Sequence, residues 1–495
     1  MSIRVREILD SLNRQNRERF KKLLPKEARN APKDLANMKT VFPAALKKIL
    51  PKENSASILG LLTEEMLKLS EPTTESICKL MKSEIPKKVK ESKTTTDYVQ
   101  KIEETRRCLE NVWIKKEISQ FVPIIFEDSD DEEIVPTFEE SEMPLYDVEF
   151  IGEGVQGHPD IVTESGIFEI KTSTQLKKSW LYFILQLFCY GCLSDTHTRL
   201  HLVLPLHKCV HSFDISGWDT RKQFRELLLE MRDVKLIQDM NMKLMWNVKR
   251  QYNIGSHVAL VDGVKGTSSI LYPGVPAQIF LGSNQSYSIS LDDGDLASML
   301  ESVLEKEIPL FIHSPYLINL CTDEEDNDKG LQCLQKYLTY SKSIGARGTV
   351  VHVGKYTGNT EKKALEIMKL NILKCLEYAT EECPLLLETP AGQGTETLTT
   401  LDEFSSFIRE IDDKRFGVCV DTCHVWSTGI LPSKYLSGLE EKGVVPRLIH
   451  YNDSAREFDC HVDRHECLGK GVIGVEELKK CAEFGGRLSI PMVQE

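Results

Sequence analysis

The chain has 495 residues, of which 41% are hydrophobic and 28% charged, and a formal net charge of −13. At roughly 150 residues per domain this describes a globular protein of several domains and excludes a fibrous or low-complexity chain. No apolar run approaches the ~18 residues a membrane helix needs, and the charged N-terminus has no signal-peptide core, so a soluble, intracellular, monomeric protein without a membrane partner is expected.

Residues 1–126 read as a basic helical accessory region. The first 120 residues carry 26 Lys/Arg against 17 Asp/Glu, which leaves the remainder acidic. A basic arm on an acidic body suits an anionic partner such as nucleic acid. Apolar stripes at helical spacing, 58–62 and 66–69, are cut into short helices by Pro25, Pro32, Pro43, Pro51, Pro72 and Pro86. No catalytic motif stands among them. Residues 127–144 form an acidic linker, with a run of Asp and Glu from Glu127 to Glu133 followed by Pro136 and Pro144. The 14 Cys of the chain are scattered without the spacing of a disulfide framework and are expected as reduced core thiols.

Residues 145–249 change character. The stretches 157–162 and 166–171 predict a β-hairpin turning near 164–166. Asp160 falls on one strand, while Glu169 and Lys171 stand two apart on the other and so share a face. Two carboxylates and a Lys so grouped can hold a divalent cation and direct a water at a phosphate. The sequence Pro159-Asp160, then Glu169-Ile-Lys171, then Gln186 and Tyr190 in the following helix, resembles the PD-(D/E)xK nuclease superfamily and its exonuclease-like branch over about 145–218. The resemblance implies Asp160, Glu169 and Lys171 as a catalytic set, Gln186 and Tyr190 as accessory residues, and Mg2+ or Mn2+ as cofactor. A non-catalytic DNA-binding platform is the alternative for this half. Cys189 and Cys192 lack the second pair that zinc would need and read as core thiols.

From 250 to 495, apolar strand candidates alternate with helical patterns. They are 253–258, 277–281, 310–313, 349–352, 384–388, 416–421, 448–450 and 489–495. Eight such units in about 245 residues predict a parallel (β/α)8 TIM-type barrel, making the chain α/β overall. Strands three to eight end in His313, His352, Glu388, Asp421, His450 and Glu495, and the loops add His424, Asp463 and His465. All are metal-capable and would project from the catalytic face of the barrel. Imidazole and carboxylate ligands without thiolate suit zinc, with manganese or iron as alternatives. The set exceeds one tetrahedral site, so a cluster of two or three ions is expected, with Glu388 bridging. Cys419 and Cys423 are read as barrel packing.

Four segments carry a close resemblance to the endonuclease IV family of zinc-dependent apurinic/apyrimidinic endonucleases: 313–320, 388–394, 417–424 and 462–471. The resemblance implies three zinc ions. His313, His352 and Glu388 would hold the first, Glu388, Asp421, His450 and Glu495 the second, and His424, Asp463 and His465 the third, with His257 nearby. It also implies hydrolysis 5′ to an abasic site in damaged double-stranded DNA, leaving a 3′-hydroxyl, with Glu388 as the catalytic carboxylate. Tyr316 matches an aromatic that wedges into the stack. Asn284 and Gln285 belong to a DNA-facing loop in which Ser286 stands where some members carry an intercalating Arg. The chain stops at Glu495, where the family continues with a final helix. A terminal ligand is expected to fray, with His461 as a substitute. A metal-dependent sugar isomerase on the same barrel is the alternative reading.

Overall fold

A computed structural model describes residues 2–32, 145 and 148–495, apart from 165, 174, 208 and 359. The apolar stripes at 58–69 and the acidic run at 127–133 lie outside the described residues. The chain divides into two compact units, Met1–Leu236 and Ile237–Glu495. Among the described residues, no helix is long and apolar enough to cross a membrane.

The first unit opens with β1 (Ile3–Arg4), α1 (Val5–Ser11) and α2 (Arg14–Leu23). The Asn13 side chain accepts the N–H of Asn16 and starts α2. There follow β2 (Phe150–Gly152), β3 (Val155–Gly157), β4 (Ile161–Val162), β5 (Ile167–Ile170), α3 (Leu176–Leu193), β6 (Arg199–Leu204), β7 (Cys209–Asp214) and α4 (Arg221–Gln251). β1 joins β3 in parallel, with β2 antiparallel on its other side. A second sheet runs β4-β5-β6-β7, in which only β5 and β6 are parallel. The hairpin expected from the sequence is β4 and β5, closed by paired backbone hydrogen bonds between Thr163 and Gly166. α3 is apolar nearly all round, which suits a helix covered on several sides. Trp180, Ile184, Leu187 and Phe188 are buried on it, and Phe188 meets Phe213 and Trp218 edge-on.

The sequence reading set 1–126 apart as an accessory region. In the structure, Ile3, Val5, Ile8, Leu9, Leu12, Phe20, Leu24 and Ala28 instead share one core with residues 155–231. Phe20 is wholly buried, with its ring 4.9 Å from that of Phe224.

The second unit is a closed barrel of eight parallel strands: β8 (Gly255–His257), β9 (Ala277–Ile279), β10 (Leu310–His313), β11 (Thr349–His352), β12 (Leu385–Glu388), β13 (Phe416–Asp421), β14 (Leu448–His450) and β17 (Met492–Gln494). Outside them run α5 (Gly263–Ile270), α6 (Asp293–Glu305), α7 (Glu324–Ser343), α8 (Glu361–Leu376), α9 (Leu401–Ile411), α10 (Thr422–Ser427), α11 (Pro432–Glu441) and α12 (Val475–Arg487). A two-stranded arm, β15 (Asp453–Ser454) with β16 (His465–Glu466), leaves the barrel after β14. Several of these helices start where short polar side chains cap them; α9 carries a full capping box between Thr400 and Glu403.

Strand periodicity sorts the barrel into layers. Leu310, Ile312, Val351, Leu385, Leu387, Val418 and Val420 join the core shared with the helices. Phe311, Val350, Leu386, Cys419, Leu448 and Val493 form a separate cluster inside the barrel. Two residues on from each inner residue, hence on the same face, stand His313, His352, Glu388, Asp421, His450 and Glu495. The polar set is therefore one layer laid on an apolar floor.

Because Phe20 packs residues 3–28 into the core of the first unit, Phe20→Ala should lower that unit's stability by about 3–5 kcal/mol. Urea unfolding followed by circular dichroism is expected to show an earlier first transition and an unmoved barrel transition.

Candidate metal centre

Glu388 is the hub of the polar layer and is 1% exposed. Its carboxylate lies 3.3 Å from His313 Nε2, 3.1 Å from His352 Nε2, 2.9 Å from His450 Nδ1 and 3.5 Å from His424 Nδ1. Burial opposes its charge, but His352 and His450 hold its carboxyl well below the usual range.

The imidazoles are oriented from behind. His313 Nδ1 donates to the Ser314 carbonyl at 2.7 Å, and His424 Nδ1 donates to the Thr389 carbonyl at 2.8 Å, which turns Nε2 of each ring into the cleft. His450 Nε2 donates to Gln278 Oε1 at 2.8 Å, which leaves Nδ1 facing Glu388. An imidazole tied by one nitrogen to an acceptor and open at the other is the arrangement that metal-binding histidines take. Nε2 of His424 and Nε2 of His465 are buried without a hydrogen-bond partner. Carboxylate oxygens of Asp463 and Asp421 face these nitrogens at 3.2–3.4 Å, which leaves room for a cation to join imidazole and carboxylate. Burial works against charge on His424, yet Asp421 and Asp463 lift its pKa well above the ordinary value; on His450 burial is likewise outweighed, by Cys419, Glu495 and Glu388.

The donor atoms gather in overlapping groups whose members lie within 4.8 Å of one another. His313, His352 and Glu388 form one, and Glu388, Asp421, His450 and Glu495 another. Asp421, His424 and His465 form a third, and Asp463 spans the two histidines at 3.4 and 3.2 Å. This all-imidazole and carboxylate donor set fits divalent metal ions of the zinc type. The Cys423 sulfur also comes within 4.8 Å of donor atoms of Asp463 and His465, but burial pushes its thiol up to about 12.

Three supports were not read from the sequence. Asn452 donates to Asp421 Oδ2 at 2.7 Å, and its Oδ1 accepts the Glu495 N–H at 2.9 Å. Gln278 donates to Glu495 Oε1 at 2.7 Å. Glu495 is thus held by two buried amides. His461, suggested as its substitute, instead pairs with Asp459 and is half exposed. The third support is Asp453, a wholly buried carboxylate in the first strand of the arm. It accepts the backbone N–H groups of Ser454, Gly469, Gly471 and Ile473 at 2.9–3.1 Å, fixing the turn that follows His465. Gly471 passes so close that a Cβ there would lie 2.3 Å from Asp453 Oδ1, and Gly469 has φ +83°. Short runs of glycine around the polar segments were the available signal for this close approach.

The layer opens into a cleft of about 470 Å³. Tyr316 stands at its mouth, 51% exposed, with its ring 5.5 Å from that of His313 and 5.4 Å from that of His352. The Asn284 carbonyl accepts the Tyr316 N–H at 3.1 Å, while Gln285 beside it is exposed. His257 lies 3.4 Å from Glu495 and 3.0 Å from Gln278.

A second acidic group sits in the first unit. Glu169 is fully buried, and its Oε1 accepts Lys171 Nζ and Gln186 Nε2, the latter at 2.8 Å. Gln186 Nε2 also donates to the Tyr190 hydroxyl at 2.7 Å, and Asp160 Oδ2 accepts the Ile170 N–H at 2.6 Å. The five residues picked from this segment are therefore close together. Glu169 Oε2 and Gln186 Oε1 are buried without a partner. Arg6 of α1 comes within 3.9 Å of Glu169, a contribution from the N-terminus that the sequence reading missed.

A family model described as "Xylose isomerase-like TIM barrel" matches residues 277–483. The chain is 30% identical over 236 residues to the probable endonuclease 4 of Mycoplasma mobile, covering 47% of this chain and 82% of that protein. It is 31% identical over 245 residues to the probable endonuclease 4 of a Sulfurihydrogenibium species, covering 45% of this chain and 85% of that one. Among solved structures, the endonuclease IV of Thermus thermophilus is similar at 26% identity with a TM-score of 0.43, covering 49% of this chain and 91% of that one.

With His424 and His450 holding protons well above their ordinary pKa, metal binding at pH 7 must displace them. Zinc added to the chelator-stripped protein in weak buffer is expected to release protons. The release should shrink as the pH is raised and these imidazoles lose their protons beforehand. No release at pH 7 would contradict the geometry.

Proposed function

This chain belongs to the endonuclease 4 family and is a hydrolytic nuclease, and on that premise we propose that its barrel cleaves the phosphodiester bond 5′ to abasic sites in duplex DNA, leaving a 3′-hydroxyl. The observation that carries this reading is the cluster of imidazoles around Glu388, of which those of His313, His424 and His450 are each tied from behind by one nitrogen. His313, His352 and Glu388 would hold one zinc ion, Glu388, Asp421, His450 and Glu495 a second, and His424, Asp463 and His465 a third. Zinc bound there supplies a hydroxide near neutral pH and positive charge for the phosphate oxygens.

The chain's own residues supply position and shape. Glu388 joins two of the groups, and its buried oxygens fix their spacing. Gln278 and Asn452 hold Glu495 and Asp421 in line. Tyr316, with Leu317 next to it, suits a wedge that fills the gap in the stack where a base is missing. Turning out a sugar without a base costs less unstacking than turning out an intact nucleotide. Asn284 and Gln285, in the loop beneath Tyr316, would follow the adjoining strand. The relatives' names favour this reading over the sugar-isomerase alternative, which rested on the barrel class alone.

For the first unit we propose a second metal-dependent nuclease site. Asp160 and Glu169 would bind Mg2+ or Mn2+, Lys171 would direct a water, and Gln186 and Tyr190 would hold Glu169 in place. Support comes from the buried, partnerless Glu169 Oε2, an acceptor left open where a cation would sit.

Duplex DNA with one abasic site, incubated with the zinc-loaded protein, tests the first reading. Glu388→Ala is expected to lower incision by at least roughly a thousand-fold, since it removes a residue shared by two metal positions. Uncut duplex with the wild-type protein would sink the proposal. Metal analysis of the purified protein should find three zinc ions per chain. In the Glu388→Ala background, remaining Mg2+-dependent degradation of DNA should vanish with Lys171→Ala. If Lys171→Ala leaves all nuclease activity intact while Glu388→Ala abolishes it, the first unit is not catalytic.

A further inference from the structure

We propose that Lys355 is a phosphate-binding residue of the barrel cleft, gripping a backbone phosphate of the DNA next to the one that is cut. The inference rests on the reading of the cleft as a DNA-cleaving centre. Duplex DNA carries a negative charge every ~1.7 Å along its axis, so a cleft that receives it needs cations besides those at the scissile phosphate. Among the described residues lining the cleft, the charged groups are the carboxylates Glu388, Glu396, Asp463 and Glu495, the imidazoles, and Lys355, the one Lys or Arg.

The main chain of Lys355 is pinned where three strand-end loops meet. Its N–H donates to Asn319 Oδ1 at 2.8 Å, and its carbonyl accepts Asn319 Nδ2 at 3.0 Å. Asn319 ends the loop that carries Tyr316. On the other side Lys355 forms a β-bridge with Glu396, and the Tyr356 N–H donates to the Thr395 carbonyl at 3.0 Å. The stem of Lys355 is thereby fixed between the Tyr316 wedge and the loop that leaves Glu388.

The side chain is held but not used up. Lys355 Nζ lies 3.4 Å from Glu396 Oε1. Glu396 is 10% exposed and also accepts the Gln393 N–H at 2.9 Å, whereas Lys355 is 48% exposed. The carboxylate is committed to the loop, while the ammonium, with three donors, still faces the open side. The simpler alternative is that Lys355 only neutralises Glu396. A structural pair registers in stability; a phosphate contact registers in the salt dependence of DNA binding.

The full-length protein is titrated against duplex DNA bearing a tetrahydrofuran abasic analogue, by fluorescence anisotropy over a salt series. Lys355→Gln should weaken binding about ten-fold near ~0.1 M salt and make the slope of log affinity against log salt shallower by about 0.9. Lys355→Arg should keep most of the affinity and the wild-type slope. Removing one charge leaves Glu396 alone, so the Lys355→Gln/Glu396→Gln double variant is measured too. It should recover the wild-type melting temperature and keep the shallower slope. A wild-type slope in both Gln variants overturns the proposal, and so does recovery of affinity in the double variant. Incision is scored in parallel: a wild-type protein that binds the duplex but never cuts it overturns the reading of the cleft, whatever the slopes.

Discussion

A carboxylate in the middle of a protein is tolerated only if something neutralises it, and the barrel is arranged around one such group. Glu388 is almost wholly buried and meets four imidazoles within 3.5 Å. Removing a charge from water is expensive, and breaking one partner of a buried pair costs more than the pair contributes. Each imidazole must therefore be held in one orientation. The Ser314 and Thr389 carbonyls and the Gln278 amide do this for His313, His424 and His450. The same logic extends outward to Asn452, which satisfies Asp421 and Glu495 together. The polar layer is one connected network over an apolar floor, and no member can be lost without stranding another.

The barrel and its polar layer were legible in the sequence because both follow from strand periodicity. An inward-facing apolar residue is followed two positions later by a polar one on six strands in succession, as with Phe311 and His313 or Leu386 and Glu388. That regularity needs no tertiary information. The supports were illegible for the opposite reason. Gln278 and Asn452 are ordinary amides whose importance lies in contacts 217 and 43 residues away in sequence. Lys355 and Glu396 read as surface charges until the bridge between their loops is seen. The hydrogen bonds that hold Glu495 come from Gln278 and Asn452, and nothing in the sequence marks them as its partners.

In the first unit the hairpin was legible because its partners are local. Asp160, Glu169 and Lys171 fall within a dozen residues, and Gln186 and Tyr190 follow one helix later. The role of residues 3–28 was not legible. A short amphipathic helix shows that one face will be buried but not against what, and here the covering sheet lies more than a hundred residues further on. Basic composition drew attention to the charged side of that segment, while its apolar side decides where it belongs.

The carboxylate of Asp453 grips main-chain amides rather than side chains. The turn from 467 to 473 is therefore specified by backbone shape, and most of its side chains carry no part of the hold. Sequence drift in that turn should accordingly be wide at Cys467 and Lys470 and almost nil at Gly469 and Gly471, where any Cβ would collide. The arm bearing Asp463 and His465 can thus change its outer surface over evolutionary time, and with it whatever it meets, while its two donor side chains stay in register with the barrel.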